Sequence, residues 1–175
     1  MPPKTQESPR SVLGSDKTRL LVILGEGGHT AQLLNLVELL GNNYDYYYVV
    51  SKEDNISANR IKCPGPIYRV SRPRGKSTGK LAAGLKTFWV GVQSLGVLWR
   101  VRPDAVVSAG PAIAVPISIM GKMFGARIIF VESASRVSTI SLTGRIMYKW
   151  ADLFFVQWPD LQKQLPRALY AGRLV

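Results

Sequence analysis

The sequence has very little cysteine, and this shortage excludes several classes of site. Cys63 is the single cysteine among 175 residues, so an internal disulfide is excluded and a reducing compartment is indicated. The surrounding "KCPGP" is typical of a turn, and no second cysteine exists to build a zinc site. We therefore expect Cys63 to be a bystander, and we expect neither a metal nor a cofactor.

Long uninterrupted hydrophobic runs are also missing, although hydrophobic residues make up 46% of the chain. No window offers the roughly 20 apolar residues that a membrane-spanning helix needs. Residues 1–17 are polar and proline-bearing, which predicts a disordered leader and not a signal peptide or an anchor. The remaining 18–175 has the length of one well-packed domain.

Acidic residues are scarce: 11 stand against 23 lysines and arginines, which gives a net charge of +12. This excess indicates an anionic partner, whether nucleic acid, anionic lipid headgroups or a phosphorylated substrate. Charge alone does not choose among them. The basic cluster adjoins apolar residues and is not interleaved with stacking aromatics, and no nucleic-acid-binding motif is present. We therefore expect no nucleic acid partner.

Aliphatic segments alternate with helix-like segments along the chain. Uninterrupted aliphatic strands separated by helices predict an α/β fold with a parallel sheet covered on both faces, a Rossmann-like doubly wound domain. Strands are predicted over 18–24, 44–51, 66–70, 104–110, 126–133, 152–157 and 168–175. Helices are predicted over 30–40, 79–100, 112–124, 143–150 and 160–165. The last strand has an alternative interpretation as a tail that docks on a partner.

The stretch "LVILGEGGHTAQLL" turns from the first strand into the first helix through a glycine loop. Gly25, Gly27 and Gly28 suit a loop over a diphosphate, because missing side chains let an anion approach backbone N–H groups at a helix N-terminus. The dinucleotide fingerprint G-x-G-x-x-G is incomplete, since position 30 is threonine. A nicotinamide-dependent oxidoreductase is therefore the weakest of the alternatives. Glu26 would repel phosphate unless it points away or pairs with a cation.

His29, the single histidine, follows this loop at the helix N-terminus. The positive end of the helix dipole disfavours the imidazolium, so the ring is expected to stay neutral and available as a base near pH 7. The alternative is a histidine that merely caps the helix. Its position after three glycines at the carboxyl end of a strand favours function.

A second group of polar residues follows the fourth and fifth predicted strands. "RPDAVVSAGPAIAVPI" places Ser108 and Gly110 at a strand end, and "IIFVESASRVSTIS" places Glu132 at the next, followed by Arg136. Strand ends that border the crevice of an open α/β sheet carry ligands, so His29 and Glu132 are expected to approach one cleft. For Glu132, capping the next segment or pairing with Arg136 is an equally weighted alternative.

These residues carry a resemblance to a known family. "GEGGHTAQLLNL", "PDAVVSAGPAIAVPI", "VESASRVSTISLTGRIMYKWADLFFVQWPDL" and "YAGRLV" closely resemble the Alg fourteen-like and PssD-type oligosaccharide and polysaccharide biosynthesis family, and more distantly the N-terminal half of MurG. The resemblance implies the acceptor-side half of a two-part GT-B glycosyltransferase. A separate Alg thirteen-like or PssE-like subunit would then hold the UDP-sugar, with UDP-GlcNAc as the leading donor.

The resemblance also implies roles for residues. His29 and Glu132 match the family's candidate catalytic positions, one of them deprotonating the attacking sugar hydroxyl in an inverting reaction. The glycine loop is expected to face a lipid-linked diphosphate sugar such as a dolichol-linked one, bound by Gly25, Gly27, Gly28, Thr30, Ser108, Gly110 and Arg136. The expected location is the cytoplasmic face of the plasma membrane in a prokaryote or of the endoplasmic reticulum in a eukaryote, held peripherally.

The segment 79–100 is a candidate for membrane contact. It is apolar, and only 13 residues separate Lys86 from Arg100, fewer than the roughly 20 that span a bilayer. An apolar helix bracketed by cations suits an anionic interface, with one stripe (Leu81, Leu85, Phe88, Val92, Leu95, Trp99) packed inward and aromatics such as Trp89 outward. The contact residues are expected to be Phe88, Trp89, Trp99, Lys80, Lys86 and Arg100. An ordinary crossover helix is the alternative, and a non-catalytic membrane scaffold is the main rival for the whole chain.

Overall fold

The seven strands that the described residues form run parallel in a single sheet, in the order β3-β2-β1-β4-β5-β6-β7. The structure is a computed structural model that describes residues 17–25, 27–54, 56–71 and 80–174, with only the backbone of 80–88. The predicted leader, apart from Lys17, lies outside the described residues. The strand order reverses direction after β3, which creates the crevice beside β1 and β4 that is typical of doubly wound folds. The predicted Rossmann-like fold is confirmed.

The strands are short, aliphatic and mostly buried. Their bounds are β1 Arg19–Ile23, β2 Asp45–Ser51, β3 Ile67–Val70, β4 Ala105–Ser108, β5 Arg127–Val131, β6 Leu153–Val156 and β7 Ala168–Tyr170. In β1, Leu21 and Ile23 belong to one buried cluster and Leu20 and Val22 to the other. Successive side chains of a strand point to opposite faces, so a strand buried on both faces needs apolar residues at every position.

In the described part of the chain, five α-helices connect the strands. Their bounds are α1 Gly28–Leu40, α2 Lys80–Val101, α3 Ala114–Met123, α4 Leu142–Trp150 and α5 Pro159–Gln164. Helices α2 to α5 contribute to one buried cluster, to which Leu98, Ile117, Met147 and Leu161 belong. Helix α1 contributes Leu33, Leu34 and Val37 to the cluster on the other face. The two faces of the sheet are therefore covered unequally.

Helix α2 agrees with the helix predicted over 79–100, but the face it buries differs from the prediction. Within its described side chains, it packs inward through Val90, Ser94, Leu98 and Val101, whereas Val92 and Trp99 of the predicted inward stripe are exposed. The helix is apolar nearly all round, so the sequence pattern does not define its buried face. Ser94 is accommodated inside because its hydroxyl donates a hydrogen bond to the carbonyl of Val90. No helix in the described part of the chain has the length and apolar character needed to cross a bilayer.

The closing segment, residues 168–174, forms a strand only at its start. The strand ends at Tyr170, and residues 171–174 leave the sheet. There, the backbone N–H of Leu174 donates to Gln157 Oε1 at 2.8 Å and its carbonyl accepts from Asn35 Nδ2 at 3.0 Å. The guanidinium of Arg173 lies 4.9 Å from the centre of the Trp158 ring. The strand predicted over 168–175 is therefore too long, because the side chains of Gln157, directly after β6, and of Asn35 on α1 bind the backbone of Leu174 in place of a ladder.

Candidate functional site

The carboxyl ends of β1, β4 and β5 lie side by side, and the loops that follow them meet at one edge. The first of these loops packs directly on the second: a Cβ on Gly25 would lie 2.8 Å from Cβ of Pro111. Gly25 is buried, so its missing side chain serves this packing and does not open the backbone to a ligand. Gly27 and Gly28 are exposed with open space in front of them. These two are the glycines that leave backbone accessible.

His29 lies in the first turn of α1 against Gly110. A Cβ on Gly110 would come 3.2 Å from Cε1 of His29, and Gly110 has a φ of 96°, so any larger residue would be strained and would crowd the ring. The imidazole is half-buried, and its Nδ1 is buried without a hydrogen-bond partner among the described residues. The structure therefore brings together His29 and Gly110, two of the predicted site residues, and leaves one imidazole nitrogen buried and unsatisfied.

The surroundings of His29 keep it neutral. Burial lowers its pKa below the ordinary 6.5, the Glu132 carboxylate raises it, and the Arg136 guanidinium lowers it. Burial dominates because it removes water from the charged form. A neutral imidazole at neutral pH is able to accept a proton.

Glu132 is completely buried at the end of β5, and both of its oxygens are occupied. Oε1 accepts from the backbone N–H of Ser133 at 3.0 Å, and Oε2 accepts from the N–H and hydroxyl of Ser141 at 3.0 and 3.1 Å. Ser141 in turn caps α4 by accepting from the N–H of Gly144. A Cβ on Gly144 would overlap Glu132 Oε2 at 1.9 Å. The carboxylate thus anchors the first turn of α4, the capping alternative that the sequence left open.

Arg136 is exposed on the loop between Glu132 and α4. Its backbone N–H donates to the carbonyl of Ser133 at 2.9 Å. Within the described ranges, no hydrogen bond or ion pair joins its guanidinium to Glu132. Its electrostatic effect on His29 nevertheless places it at the same edge, where it is available to an anion.

The Thr30 hydroxyl turns inward. It donates to the carbonyl of Gly25 and lies 3.1 Å from the Ser57 hydroxyl, which donates to the same carbonyl at 2.9 Å. Ser57 is held in turn by the side chain of Asp54. Thr30 therefore holds the glycine loop in place through hydrogen bonds on the buried side of the loop. Ser108 is also fully buried, and its Oγ has no hydrogen-bond partner in the described part of the chain.

The structure describes the side chains of only some of the candidate membrane residues. Trp89 and Trp99 are 58% and 68% exposed, and Arg100 is exposed. The side chains of Lys80, Lys86 and Phe88 lie outside the described residues, as does Glu26. The exposed indole of Trp89 agrees with the aromatics predicted to point outward from α2. That of Trp99 agrees with its prediction as a contact residue and contradicts its place in the predicted inward stripe.

Two glutamines at this edge were not anticipated from the sequence. Gln32 on α1 and Gln157 after β6 are almost completely buried, and Gln157 Nε2 donates to Gln32 Oε1 at 2.8 Å and to the carbonyl of Glu132 at 3.0 Å. One signal was present: Gln32 lies three residues after His29, and Gln157 directly follows the aliphatic run "LFFV". A polar side chain at a position where the pattern demands an apolar one indicates a buried network.

The titration of His29 offers a direct check, because its Cε1–H resonance is the single histidine signal of the chain. We expect a pKa below 6.5, raised by Arg136→Ala and lowered further by Glu132→Gln, since each variant removes one of the charges that act on the ring. The fold favours the neutral form, so the free energy of unfolding should fall as the pH drops below about 6.5. The measurement is an NMR pH titration, with Arg145→Ala on α4 as a control that leaves the pKa unchanged. A pKa at or above 6.5 would contradict this account of the site.

Comparisons with solved structures support the fold. MurG of Acinetobacter baumannii superposes with a TM-score of 0.67 at 16% identity, over 82% of this chain and 42% of that one. UDP-GlcNAc 2-epimerase of Methanocaldococcus jannaschii superposes with a TM-score of 0.69 at 18% identity, over 89% and 46%. The chain therefore spans less than half the length of these proteins. At this identity the likeness shows a shared Rossmann-like fold and nothing more.

Sequence comparisons identify closer relatives. The mouse UDP-N-acetylglucosamine transferase subunit ALG14 is 33% identical over an alignment 190 residues long. This alignment covers 95% of this chain and 88% of the relative. The Schizosaccharomyces pombe subunit of the same name is 34% identical over 171 residues, covering 87% and 81%. The profile of the family "Oligosaccharide biosynthesis protein Alg14 like" matches residues 20–174. With nearly the whole described domain matched in this way, the chain belongs to the Alg14-like oligosaccharide biosynthesis family.

Proposed function

We propose that this chain is the acceptor-binding subunit of a two-part, inverting glycosyltransferase that transfers GlcNAc from UDP-GlcNAc to a lipid-diphosphate-linked sugar. The names of the relatives support a transferase subunit with this donor. The observation that carries the proposal is the neutral, half-buried His29, which packs against Gly110 and lies beside the open backbone of Gly27 and Gly28. A base next to an anion-binding loop is the arrangement that a diphosphate-linked hydroxyl acceptor requires.

In this proposal the diphosphate lies at the amino end of α1. The positive end of the helix dipole and the exposed N–H groups of the glycine loop attract phosphate, and the exposed Arg136 adds a positive charge. Ser108, whose buried hydroxyl has no hydrogen-bond partner among the described residues, lies at the neighbouring strand end without reaching the surface. Gly25 and Thr30 contribute indirectly, because their buried contacts hold the loop in its conformation.

His29 supplies the proton acceptor. Since Nδ1 is buried, we place the lone pair that accepts the proton at Nε2. As the acceptor hydroxyl oxygen attacks the anomeric carbon of the donor sugar, its proton passes to the imidazole and the bond to the UDP oxygen breaks, which inverts the anomeric centre. Glu132, with both oxygens engaged, orients α4 and favours the imidazolium that forms, because its negative charge raises the pKa of His29.

The test is turnover by this chain mixed with its donor-binding subunit, using a short-chain lipid diphosphate-GlcNAc and UDP-GlcNAc. We expect no activity from either chain alone. In the mixture, His29→Ala should lower kcat by about 10²- to 10⁴-fold, the contribution of a general base, while the complex still forms. Glu38→Gln, at an exposed position farther along α1 that pairs with Lys62, is the control and should keep full activity. Turnover that survives His29→Ala would instead support the alternative of a non-catalytic membrane scaffold.

The partner's docking surface is proposed at the less covered face of the sheet. An apolar groove of about 650 Å³ opens between α1 and residues 171–174, over β4, β5 and β6. Its floor is formed by Val107, Ile129, Val131, Leu153 and Phe155. Along their strands, these residues alternate with the ones that helices α2 to α5 cover. Sheet faces of this composition are normally covered. The occupant we propose is an amphipathic helix of the donor-binding subunit, because the solved neighbours carry a second half on the same chain and the relatives are named subunits.

Two exposed leucines on adjacent strands provide a matched test of this groove. Leu153 on β6 lines it, whereas Leu169 on β7 does not, and they are 37% and 42% exposed. Leu153→Arg should weaken binding of the donor subunit by at least about tenfold, as expected for a charge placed in an apolar interface. Leu169→Arg should leave binding unchanged. Calorimetry of the two purified chains measures both, and equal effects would exclude the groove.

The opposite face is proposed to lie on an anionic membrane. Beyond Trp89 and Trp99 of α2, exposed apolar side chains continue across the helical layer that α2, α3 and α4 form: Met123, Phe124, Leu142, Ile146 and Trp150. Exposed cations lie among them: Arg100, Arg102, Arg145 and Lys149. Apolar side chains interspersed with cations match a membrane interface rich in anionic lipid, which is the location expected from the resemblance.

Vesicle binding tests the membrane surface. Replacing Trp89 and Trp99 together by alanine should reduce binding to phosphatidylserine-containing vesicles by roughly tenfold or more, the effect of losing two buried aromatic contacts. High salt should reduce it further. The control is Leu39→Ala, a residue 77% exposed on α1 at the other face, which should bind like the unmodified chain. Unchanged sedimentation of the double variant with vesicles would contradict the proposed orientation.

A further inference from the structure

The buried glutamine pair joins three parts of the candidate site. Gln157 Nε2 donates to Gln32 Oε1 at 2.8 Å and to the main-chain carbonyl of Glu132 at 3.0 Å, and Gln157 Oε1 accepts from the N–H of Leu174 at 2.8 Å. Gln32 Oε1 also accepts from the N–H of Ala134 at 3.2 Å. Helix α1, the loop after β5 and the segment 171–174 therefore meet at two side chains.

The neighbours leave no freedom in how the two amides are oriented. The N–H groups of Ala134 and Leu174 are donors, so each must face an amide oxygen. This fixes Oε1 of Gln32 and Oε1 of Gln157, and it leaves the NH₂ of Gln157 to bridge Gln32 and Glu132. Gln157 and Gln32 are 2% and 5% exposed, and a buried network of this kind is rigid when all its members are satisfied.

The pair lies next to both His29 and Glu132. Gln32 is one helical turn after His29 on α1, and Gln157 binds the backbone of Glu132 itself. The distance between the imidazole and the Glu132 carboxylate therefore depends on a bridge between α1 and the end of β5. The contacts made directly by His29 and by the Glu132 carboxylate do not supply that bridge in the described part of the chain.

We propose that Gln157, acting through Gln32, is a positioning residue that holds His29 at a fixed position relative to Glu132 and the glycine loop. The catalytic consequence rests on the proposed function; the structural one does not. Gln157 touches no reacting atom in this scheme. Its effect on the rate comes from orientation, which is costly to lose even when the displacement is small.

The test compares three isosteric variants. Gln157→Met keeps the side-chain volume and removes all three hydrogen bonds of this side chain. Gln32→Met removes the hydrogen bond between the two glutamines from the α1 side, and it replaces Gln157→Met as the test if that variant folds poorly. Gln162→Met is the matched control: it deletes the hydrogen bond from a glutamine on α5 to the carbonyl of Ala168, away from the site. Thermal unfolding of all three gives their effect on stability.

The first readout is the Cε1–H resonance of His29 in the chain alone, which needs neither substrate nor partner. We expect Gln157→Met and Gln32→Met to shift this resonance and its titration midpoint, and Gln162→Met to change neither. If Gln157→Met lowers the melting temperature as Gln162→Met does but leaves the His29 signal and titration as in the unmodified chain, the network only stabilises the fold and the proposal fails.

The second readout is turnover in the mixture with the donor-binding subunit. Gln157→Met should lower kcat by about 100-fold with KM for UDP-GlcNAc unchanged, because the donor is held by the partner. The Gln32→Met/Gln157→Met double variant should be no worse than either single one, as expected for residues that act as a unit. Additive losses, or an unchanged kcat, would overturn the positioning role. If the unmodified mixture does not turn over at all, the proposed function fails, and the His29 signal still decides this inference.

Discussion

The parallel arrangement of the sheet is the constraint on which everything else depends. Because every strand runs the same way, every carboxyl end reaches the same edge, and residues far apart in sequence, such as His29, Gly110 and Glu132, become neighbours there. The same arrangement leaves two apolar faces that both require cover. Four helices cover one face, whereas one helix and a short closing segment cover the other. A functional edge and an incompletely covered face thus have a common origin.

At the shared edge, two titratable side chains end up in opposite situations. The Glu132 carboxylate is fully buried but accepts from three donors, the N–H of Ser133 and the N–H and hydroxyl of Ser141 at the start of α4, so its lone pairs are committed to the fold. His29 is only half-buried, yet its Nδ1 has no partner among the described residues. In the proposed reaction the histidine takes the proton, and the glutamate supplies geometry and charge.

The sequence predicts the fold well because its main signal, apolar runs interrupted by glycine turns and helices, reports directly on a doubly covered parallel sheet. It also predicts that His29, Gly110 and Glu132 share an edge, since that follows from strand direction alone. The hydrogen bonds of Glu132 and Thr30 could not be predicted, because a carboxylate or hydroxyl at a strand end looks the same whether it faces a ligand or the backbone. The face that α2 buries was misjudged because a helix that is apolar nearly all round carries no clear amphipathic pattern. The glutamine pair needed tertiary structure, since Gln32 and Gln157 are 125 residues apart.

The three proposed surfaces occupy different sides of one domain, and this separation has a mechanistic consequence. The acceptor edge lies at the carboxyl ends of the strands, the groove for the donor subunit lies on the face of α1, and the membrane layer lies on the face of α2, α3 and α4. In the proposed function, a lipid-linked acceptor reaches the edge from the membrane while the donor reaches it from the partner. Surfaces on opposite faces of the sheet allow both to be engaged at once without competition. The glutamine pair lies where these requirements converge, because it joins α1 and the closing segment, which border the groove, to the strand end that borders the site. Placement of the partner and geometry of the edge are thereby linked through a single buried contact.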